Sequence, residues 1–358
     1  MIYHQTIQSL VLLLHHNHHR LLNTYIIGFD RAIRETVEVK GGKMRPYVQL
    51  ATGDLLRKEG VYQRTTGGGL PSKVVNRFGD SPVSDIDYSR RRTSRIAYQD
   101  GQFMDWADVS KMGVDPRNAK LQIMKNKFMR QEDIIIDRAL LGAAKGGVEG
   151  ETDTKLKDQA NAVSVDAAND NNYKLTYKKF LSVLEKFGNN SVDVDTTPPI
   201  FKITWTQWKH IMEDDNFINF DYTASRPLDS QVGTIYDYMG AKFCISNIVP
   251  FINRTPAEIE TLEGSYTSTS ETLEAYFELD DDSIDTGVGK WKSASTDSTR
   301  LCYAFMPDAG LLEINPDLTS KISERADKSF NYYAYMKAEF GAVRMEEEKV
   351  VVLPCQDS

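Results

Sequence analysis

The sequence predicts an α+β protein of two domains whose outlying segments lack a core of their own. Three observations support this: helical periodicity over 115–144, strict apolar alternation over 330–340, and a turn-rich segment at 61–98. With 358 residues, of which 41% are apolar, the chain can build a sizeable core. The segment 61–98 is unusual because it lacks a core of its own. Each ordered residue costs roughly 1–2 kcal/mol of backbone entropy, which burial must offset. We therefore expect its burial to come from neighbouring copies of the chain.

The first 25 residues predict an amphipathic helix, since apolar residues recur at helical spacing along one side. We expect this helix to dock on a neighbouring surface. His15, His18 and His19 lie on one face at offsets of three and four residues. Imidazoles at this spacing can hold zinc, but no carboxylate or thiol nearby completes a ligand set. A polar face that responds to pH is favoured over a metal site, and no metal or other cofactor is predicted.

Residues 61–98 predict two extended arms around a turn, because Gly and Pro cluster at 65–71 and 79–82. From Arg57 to Arg95, nine Lys or Arg stand against four Asp or Glu. This excess favours contact with carboxylates on another subunit, and the alternative is a mobile basic hairpin that contacts nothing. The candidate contact residues here are Arg77, Arg90, Arg91, Arg92 and Arg95.

One long helix is predicted over 115–144. Asp115 and Pro116 suit its first turn, and Gly142 suits its end. At 1.5 Å per residue, such a helix spans about 42 Å, which suits a spine for the fold. The predicted buried stripe consists of Leu121, Met124, Phe128, Ile135 and Ala139.

Asp133 and Asp137 share a face of this helix at a spacing of four residues. An acid/base pair or a metal pair is one interpretation. Arg130 and Arg138 flank them, however, and favour ion pairs that are solvated or formed with another subunit. Asp133 and Asp137 are therefore candidate intersubunit contact residues.

The middle of the chain predicts a mixture of helices and strands. Residues 145–172 indicate a linker or hairpin with one short strand at 162–165. A second helix follows, capped by Thr176, stopped by Gly188 and lined by Tyr177, Phe180, Leu181, Leu184 and Phe187. After it come a strand at 200–205, a short helix at 208–214 and two strands around Gly240.

The last sixty residues return to strand character. Residues 330–340 alternate between an apolar and a polar side, as a strand with one buried face does. A helix is the competing interpretation, but its aromatic residues would surround the axis, so the strand is favoured. Val343 and residues 349–353 then predict a closing strand.

Composition excludes several function classes. Residues 255–300 hold eleven Asp or Glu and three Lys or Arg, an excess of −8 that equals the net charge of the whole chain. The charges of the rest of the chain are therefore balanced, which does not predict sequence-specific nucleic-acid binding.

No apolar run is long enough to span a membrane. Cys244, Cys302 and Cys355 predict reduced, buried thiols.

No catalytic constellation is predicted. The glycines at 67–69 lack the Gly-Lys-Ser/Thr of a phosphate loop, and neither a Gly-x-Ser-x-Gly elbow nor a His-Glu-x-x-His helix occurs. His210 stands alone in the second half of the chain. We therefore predict that the protein is not an enzyme.

Two sets of motifs, in this order along the chain, resemble the major capsid proteins of tailed bacteriophages. The first set is Arg77-Phe78-Gly79-Asp80-Ser81-Pro82, Arg90-Arg91-Arg92, 105–108, Asp115-Pro116 and 133–137 with Leu140-Leu141-Gly142. The second set is 208–222, Gly233-Thr234-Ile235, 246–250 and Phe340-Gly341-Ala342-Val343-Arg344. The histidine-rich start and the acidic stretch 255–300 depart from the family pattern.

The resemblance implies the Johnson fold, the shell fold of phage Hong Kong 97. It implies four parts: an N-terminal arm at 1–60, an extended loop at 61–100, a peripheral domain at 101–191 and 301–358 with the spine helix at 115–144, and an axial domain at 192–300 with the acidic insertion at 255–300. No catalytic residue is carried over from the family.

The resemblance also implies a function. The chain would be the structural subunit that self-assembles, through hexamers and pentamers, into the icosahedral shell around the double-stranded DNA of a tailed phage. It would be part of the virion, be assembled in the host bacterial cytoplasm, and have scaffolding, portal and decoration proteins as candidate partners. The alternative is an encapsulin-like nanocompartment shell protein of the same fold. A soluble binding protein or enzyme of unrelated fold is the third hypothesis.

Overall fold

A computed structural model describes residues 42–51, 59–66, 70, 73, 86–105, 117–154, 156, 161–164, 173–214, 237–238, 240–252 and 299–356. Outside them lie the predicted N-terminal helix with His15, His18 and His19, as well as Arg77 and residues 253–298 of the acidic stretch. The described residues form two compact units. Residues 99–105, 117–125 and 319–337 belong to the smaller unit, and the others belong to the larger one.

The secondary-structure elements in the described residues are β1 (Gln49–Leu50), β2 (Glu59–Thr66), β3 (Asp87–Ser94), β4 (Ile96–Met104), α1 (Arg117–Leu141), β5 (Ala144–Gly146), β6 (Thr152–Thr154), α2 (Tyr177–Asn189), β7 (Ile200–Ile203), α3 (Trp205–Glu213), β8 (Asp237–Tyr238), β9 (Ala241–Ile245), β10 (Phe251–Ile252), β11 (Thr299–Phe305), β12 (Gly310–Ile314), β13 (Thr319–Arg325), β14 (Asn331–Arg344) and β15 (Val350–Gln356). Among these helices, none is long and apolar enough to cross a membrane.

The main core of the larger unit is built on a mixed sheet. Its strands follow the order β10-β11-β7-β9-β8, and β15 pairs antiparallel with β11 along seven residue pairs. Strand β7 is buried along its whole length, which fits its apolar residues Ile200, Phe201 and Ile203, and Lys202 is the one charged residue in it. Phe201 on β7 stacks with Phe180 of α2 at 5.1 Å and with Phe243 of β9 at 5.4 Å between ring centroids. This packing joins β7 to α2 and β9 within the core.

A second sheet of the larger unit has the order β2-β3-β5-β6. Strands β2 and β3 form a long antiparallel hairpin, and β3 continues to β5 through the pair Arg92 and Lys145. Also in the larger unit, β1 pairs parallel with β12, and β12 pairs antiparallel with residues 340–344 of β14.

Helix α1 lies within the predicted range 115–144 and ends one residue before Gly142, whose amide donates to the Arg138 carbonyl. The predicted buried stripe is only partly correct. Met124 and Phe128 are buried, but Ile135 and Ala139 are half-buried, and Ile136 and Leu140 take the inner positions. Glu132, Asp133 and Asp137 are buried as well. Packing on more than one side, including polar partners, therefore overrides the simple apolar stripe.

Helices α2 and α3 are confirmed, with shifted ends. Thr176 precedes α2, but its hydroxyl makes no capping hydrogen bond. The helix continues through Gly188 to Asn189, and the left-handed Ser191 (φ 59°) follows it. Its inner face carries Val183 in place of Leu181, which is 39% exposed. Helix α3 begins at Trp205, earlier than predicted, because Thr204 and Gln207 form a capping box at its start.

The long strand predicted at 330–340 is confirmed from Asn331 onward as β14, and Ala334, Met336, Ala338 and Phe340 are its buried side. Phe330, predicted on the same side, precedes the strand and is 65% exposed. The two strands around Gly240 are confirmed as β8 and β9, with Gly240 at φ 76°. Val343 belongs to β14, and the closing strand is β15. Of the strand predicted at 162–165, the described residues 162–164 show a single bridge, between Ala162 and Val352. In the smaller unit, residues 331–337 of β14 pair antiparallel with β13.

Candidate functional site

The hairpin of β2 and β3 is the part of the structure that corresponds to the predicted extended arms. The two strands pair in register over their whole length, from Glu59 opposite Ser94 to Thr66 opposite Asp87. The prediction of two extended arms is thus confirmed for these residues. Most of the segment between them, including Arg77, lies outside the described residues.

Arg91 fastens this hairpin to the turn between β14 and β15. Its Nη2 donates to both carboxylate oxygens of Glu347 at 2.7 Å, and its Nε donates to the Met345 carbonyl at 3.1 Å. Arg91 is 3% exposed and Glu347 is 6% exposed. A Cβ on Gly146 would lie 1.9 Å from the Arg91 guanidinium, so glycine is needed beside it. This is a buried, charge-assisted pair with geometric specificity.

Two further arginines share the Glu347 carboxylate. Arg64 Nη1 donates to Glu347 at 3.2 Å, and Arg344 Nε lies 3.7 Å from it. Arg344 is fully buried and also donates to the carbonyls of Leu140 and Thr154. Burial lowers the pKa of Arg344 to about 10, although Glu347 opposes the shift. We refer to Arg64, Arg91, Arg344 and Glu347 as the hairpin anchor.

The other predicted contact arginines also lie near carboxylates of their own chain. Arg90 lies 3.7 Å from Glu149, and Arg92 lies 3.6–3.7 Å from Glu151 and Glu59. Arg95 lies 3.9–4.0 Å from Glu339 and Glu313.

For Arg91, the prediction of an intersubunit contact is wrong, because the side chain is buried inside one chain and neutralised there. For Arg90, Arg92 and Arg95 it stays a prediction. The side chains of Arg90 and Arg92 are 45% and 33% exposed, which leaves them room for a second partner.

Asp137 on α1 faces the core and not the surface. Lys202 Nζ of β7 donates to its two oxygens at 2.6 and 2.7 Å, and the Tyr303 hydroxyl of β11 also donates to Oδ1. All three side chains are fully buried. Burial raises the pKa of Asp137 to about 6, against the opposing effect of Lys202. We call Asp137, Lys202 and Tyr303 the core ion pair.

Asp133, one turn earlier, accepts the backbone amides of Lys43 and Met44 at 3.3 and 3.1 Å. Its pKa is raised by burial. The ammonium of Lys43 in turn donates to the Ile245 carbonyl at 2.6 Å. The expectation that Asp133 and Asp137 form a solvated face or contact another subunit is therefore wrong, since both carboxylates are buried and satisfied within the chain.

Glu132 completes the polar side of α1. Its Oε1 lies 3.6 Å from Arg45 Nε, and Arg45 also donates to Asp317 at 2.9 Å. Burial raises the pKa of Glu132 to about 7, while Arg45 opposes the shift. Together with Asp133, this carboxylate holds residues 43–45 along the helix.

A protein-family model described as phage capsid protein matches residues 21–357 of the chain. The chain belongs to this family. The predicted family and the predicted α+β capsid fold are confirmed, and the chain is a major capsid protein, a structural component of a virion shell built from many copies of it. Nothing in these comparisons supports the nanocompartment alternative.

Solved phage capsids share the fold of this capsid protein. The capsid of cyanophage P-SCSP1u has a TM-score of 0.59 at 12% identity, with 91% of each chain covered. The head of Helicobacter pylori bacteriophage KHP40 has a TM-score of 0.59 at 9% identity, and the capsid of Ralstonia phage GP4 has 0.58 at 9%. Both cover 91% of this chain and 94% of the other. At identities of 9–12%, the similarity to these solved capsids shows a shared fold and nothing more. No curated protein sequence matches the chain.

The candidate groups for chemistry that the structure describes are His210 and the three cysteines. Within the described residues, no three His, Cys, Asp or Glu side chains cluster as a metal site would require. His210 is buried on α3, and burial lowers its pKa to about 4, so it is neutral near pH 7. Cys244, Cys302 and Cys355 are free and buried, as predicted.

Sequence reasoning missed Glu347, Arg344, Lys202 and Tyr303. One signal was present for Lys202, which interrupts a short apolar strand where a charge needs a buried partner. Another was present for Arg91: in a strand, consecutive side chains alternate between faces, so the middle arginine of three must point away from its neighbours. For Glu347, which lies in a run of three glutamates, the sequence offers no comparable signal.

Proposed function

We propose that this capsid protein assembles with copies of itself into hexamers and pentamers, and that the hairpin of β2 and β3 reaches an adjacent subunit. One observation carries the proposal. Thr66 and Asp87 are directly paired, so a turn of about two residues would close the hairpin. The chain instead places residues 67–86 between them. Side chains around this tip are exposed: Leu70 is 95% exposed, Tyr88 62% and Ile86 49%.

A contact made by the tip on a different surface of the next subunit would be heterologous, and such contacts close into rings when the rotation allows. Obligate interfaces of this kind bury on the order of 2,000–5,000 Å² and resemble a protein core. Exposed pairs made by Arg90 and Arg92 would add only about 0–1 kcal/mol each, but the contact repeats over the whole shell.

The remaining parts of the proposal, namely the domains, the enclosed DNA and the further partners, rest on the capsid protein family. The arm at 1–60, the extended loop at 61–100, the peripheral domain at 101–191 and 301–358 and the axial domain at 192–300 form the parts of one shell subunit. The shell encloses double-stranded DNA without sequence-specific binding and is assembled in the host bacterial cytoplasm. Scaffolding, portal and decoration proteins are the expected further partners. The role is structural and includes no catalytic step.

A deletion can separate the tip of the hairpin from its paired strands. Removing all of 61–98 would delete paired strands together with Arg64 and Arg91 of the hairpin anchor. Replacing only residues 67–86 by Asn-Gly joins Thr66 to Asp87 with a turn that their register accepts. We expect a chain that folds, with wild-type circular dichroism and thermal unfolding, but that yields no shells in electron micrographs or sedimentation.

A length-matched Gly/Ser replacement of 67–86 is the control. It keeps the reach of the segment but removes its side chains, so it should also fail to assemble if contacts of the tip matter. Normal shells from the Asn-Gly variant would refute the proposal. Shells from the Gly/Ser variant alone would show that only length matters. Wild-type protein expressed alone provides the reference, and cargo-free shells of phage size disfavour a nanocompartment.

A further inference from the structure

One face of the smaller unit combines ordered aromatic rings with exposed lysines. In the pairing of β13 with β14, Lys321 lies opposite Tyr335 and Arg325 lies opposite Asn331. Because strand residues alternate, Tyr333, Tyr335 and Lys337 point away from the side buried by Ala334 and Met336. Phe103 of β4 joins them and is 46% exposed. We define the basic–aromatic face as Phe103, Lys321, Arg325, Tyr333, Tyr335 and Lys337.

The rings of this face are held in place before any partner arrives. Phe103 and Tyr333 lie 4.6 Å apart between ring centroids, and Tyr333 and Tyr335 lie 6.1 Å apart. The Tyr335 hydroxyl donates to Gln99 at 3.0 Å. A Cβ on Gly101 would come within 2.0 Å of the Tyr333 hydroxyl, so the glycine gives the ring its place across the strand. Preorganised tyrosines of this kind lose little entropy on binding and are frequent in interface hot spots.

The charge of the face is positive. Arg325 lies 5.5 Å above the Tyr333 ring and is paired with Asp327 at 2.6 Å. Lys321 and Lys337 are exposed and have no ion pair in the part of the chain that the structure describes. The ammonium groups of Lys321 and Lys337 therefore lie on either side of the Tyr335 ring. Their charge suits a partner that carries carboxylates or phosphates.

We propose that the basic–aromatic face docks the acidic segment 255–298 of a second copy of the chain in the shell. This segment holds eleven Asp or Glu against two Lys, and it also carries Tyr266, Tyr276, Phe277 and Trp291. Its charge is opposite to that of the face, and its aromatic residues suit the Tyr and Phe rings. The inference rests on assembly of the chain into a shell.

Other occupants fit the face less well. A second basic–aromatic face would bring like charges together, which disfavours a symmetric contact between two such faces. Duplex DNA could meet Lys321 and Lys337 with its phosphates, but its stacked bases would leave Phe103, Tyr333 and Tyr335 without partners. Aromatic platforms bind bases that are unstacked, as in single strands. A peptide with carboxylates and aromatic side chains uses both components of the face.

The first test is charge reversal in the full-length protein. The variant K321E/K337E should lower the yield of sedimenting shells about tenfold at low salt, the factor that corresponds to 1.4 kcal/mol at a contact. The matched control is K125E/K242E, which makes the same charge change at two exposed lysines outside the face. Combining K321E/K337E with D280K/D282K should restore assembly. Equal yields from wild type and K321E/K337E, or no restoration, would overturn the proposal.

The second test identifies the partner directly. Shells from mixed ¹⁴N- and ¹⁵N-labelled chains, treated with a carbodiimide, should give mixed-isotope crosslinks between Lys321 or Lys337 and carboxylates of 255–298. Crosslinks only within one chain would overturn the assignment to a second copy. If the face binds DNA, K321E/K337E shells will form normally but retain less nucleic acid, and the proposal will be wrong. Wild-type and K125E/K242E shells separately establish that the chain assembles.

Discussion

Replacing Glu347 by Ala should destabilise the capsid protein by about 3–5 kcal/mol, the range observed when one partner of a buried ion pair is removed. Arg91 and Arg344 are at most 3% exposed and would keep their charges without the shared carboxylate. The β2–β3 hairpin would also lose the two hydrogen bonds that Arg91 Nη2 donates to the Glu347 carboxylate in the turn before β15. The measurement is urea-induced unfolding of the unassembled full-length chain.

The neighbouring glutamate provides a matched control. Glu348 pairs with Arg64 at 3.3 Å and its side chain is 44% exposed. Glu348→Ala should therefore change stability by less than about 1 kcal/mol, as removal of exposed pairs does. Arg91→Ala/Glu347→Ala should lose less than the sum of the single variants, because each single change leaves the other charge buried. Equal losses from Glu347→Ala and Glu348→Ala would show that the hairpin anchor is not a buried electrostatic contact.

The hairpin anchor shows where sequence-based prediction succeeds and where it stops. The two arms of the hairpin were predictable, because turn residues separate two segments of extended character. In the sequence, Arg90, Arg91 and Arg92 form one basic run. Strand geometry separates them, since Arg91 turns inward to Glu347 while Arg90 and Arg92 remain partly exposed. Its partner is 256 residues away, and no local pattern joins the two.

Elements with long, regular periodicity were the most predictable. Apolar and polar residues alternate over the eleven residues 330–340, and the predicted apolar side is buried from Ala334 to Phe340 but not at Phe330, which is 65% exposed. Helix α1 was predicted from capping residues and spacing, but the function of its acidic side was not. The sequence favours ion pairs that are solvated or formed with another subunit for Asp133 and Asp137, because Arg130 and Arg138 are close in sequence. Tertiary packing places Lys202 against Asp137 instead, and that contact is non-local.

The core ion pair leads to a second large effect. Lys202→Met keeps an unbranched side chain of four heavy atoms but removes the ammonium, which leaves Asp137 fully buried with the Tyr303 hydroxyl as its donor among the contacts described above. We expect a loss of about 3–5 kcal/mol near pH 8, because an uncompensated carboxylate then remains in the core. Lys202→Met/Asp137→Asn should recover much of this loss, since the neutral amide still accepts the hydrogen bond from Tyr303.

The loss should also depend on pH with a defined sign. The folded-state pKa of Asp137 is already raised, from 3.8 to about 6, chiefly by burial. A raised carboxyl pKa gives stability that is fully present below the unfolded value and is lost as pH rises through the folded value. Without Lys202 nothing from its charge lowers this pKa, so the decline in stability should extend to higher pH and become larger.

Lys202→Met should therefore lie closer to wild type at about pH 5 than at about pH 8, because protonation removes the buried charge. Asp133 also loses the attraction of Lys202 and has a pKa raised by burial, so it contributes to the same trend. The double variant with Asp137→Asn isolates Asp137, because Asp133 is unchanged in it. A loss independent of pH, or a double variant no more stable than the single one, would show that the charge of Asp137 does not decide the stability of this core.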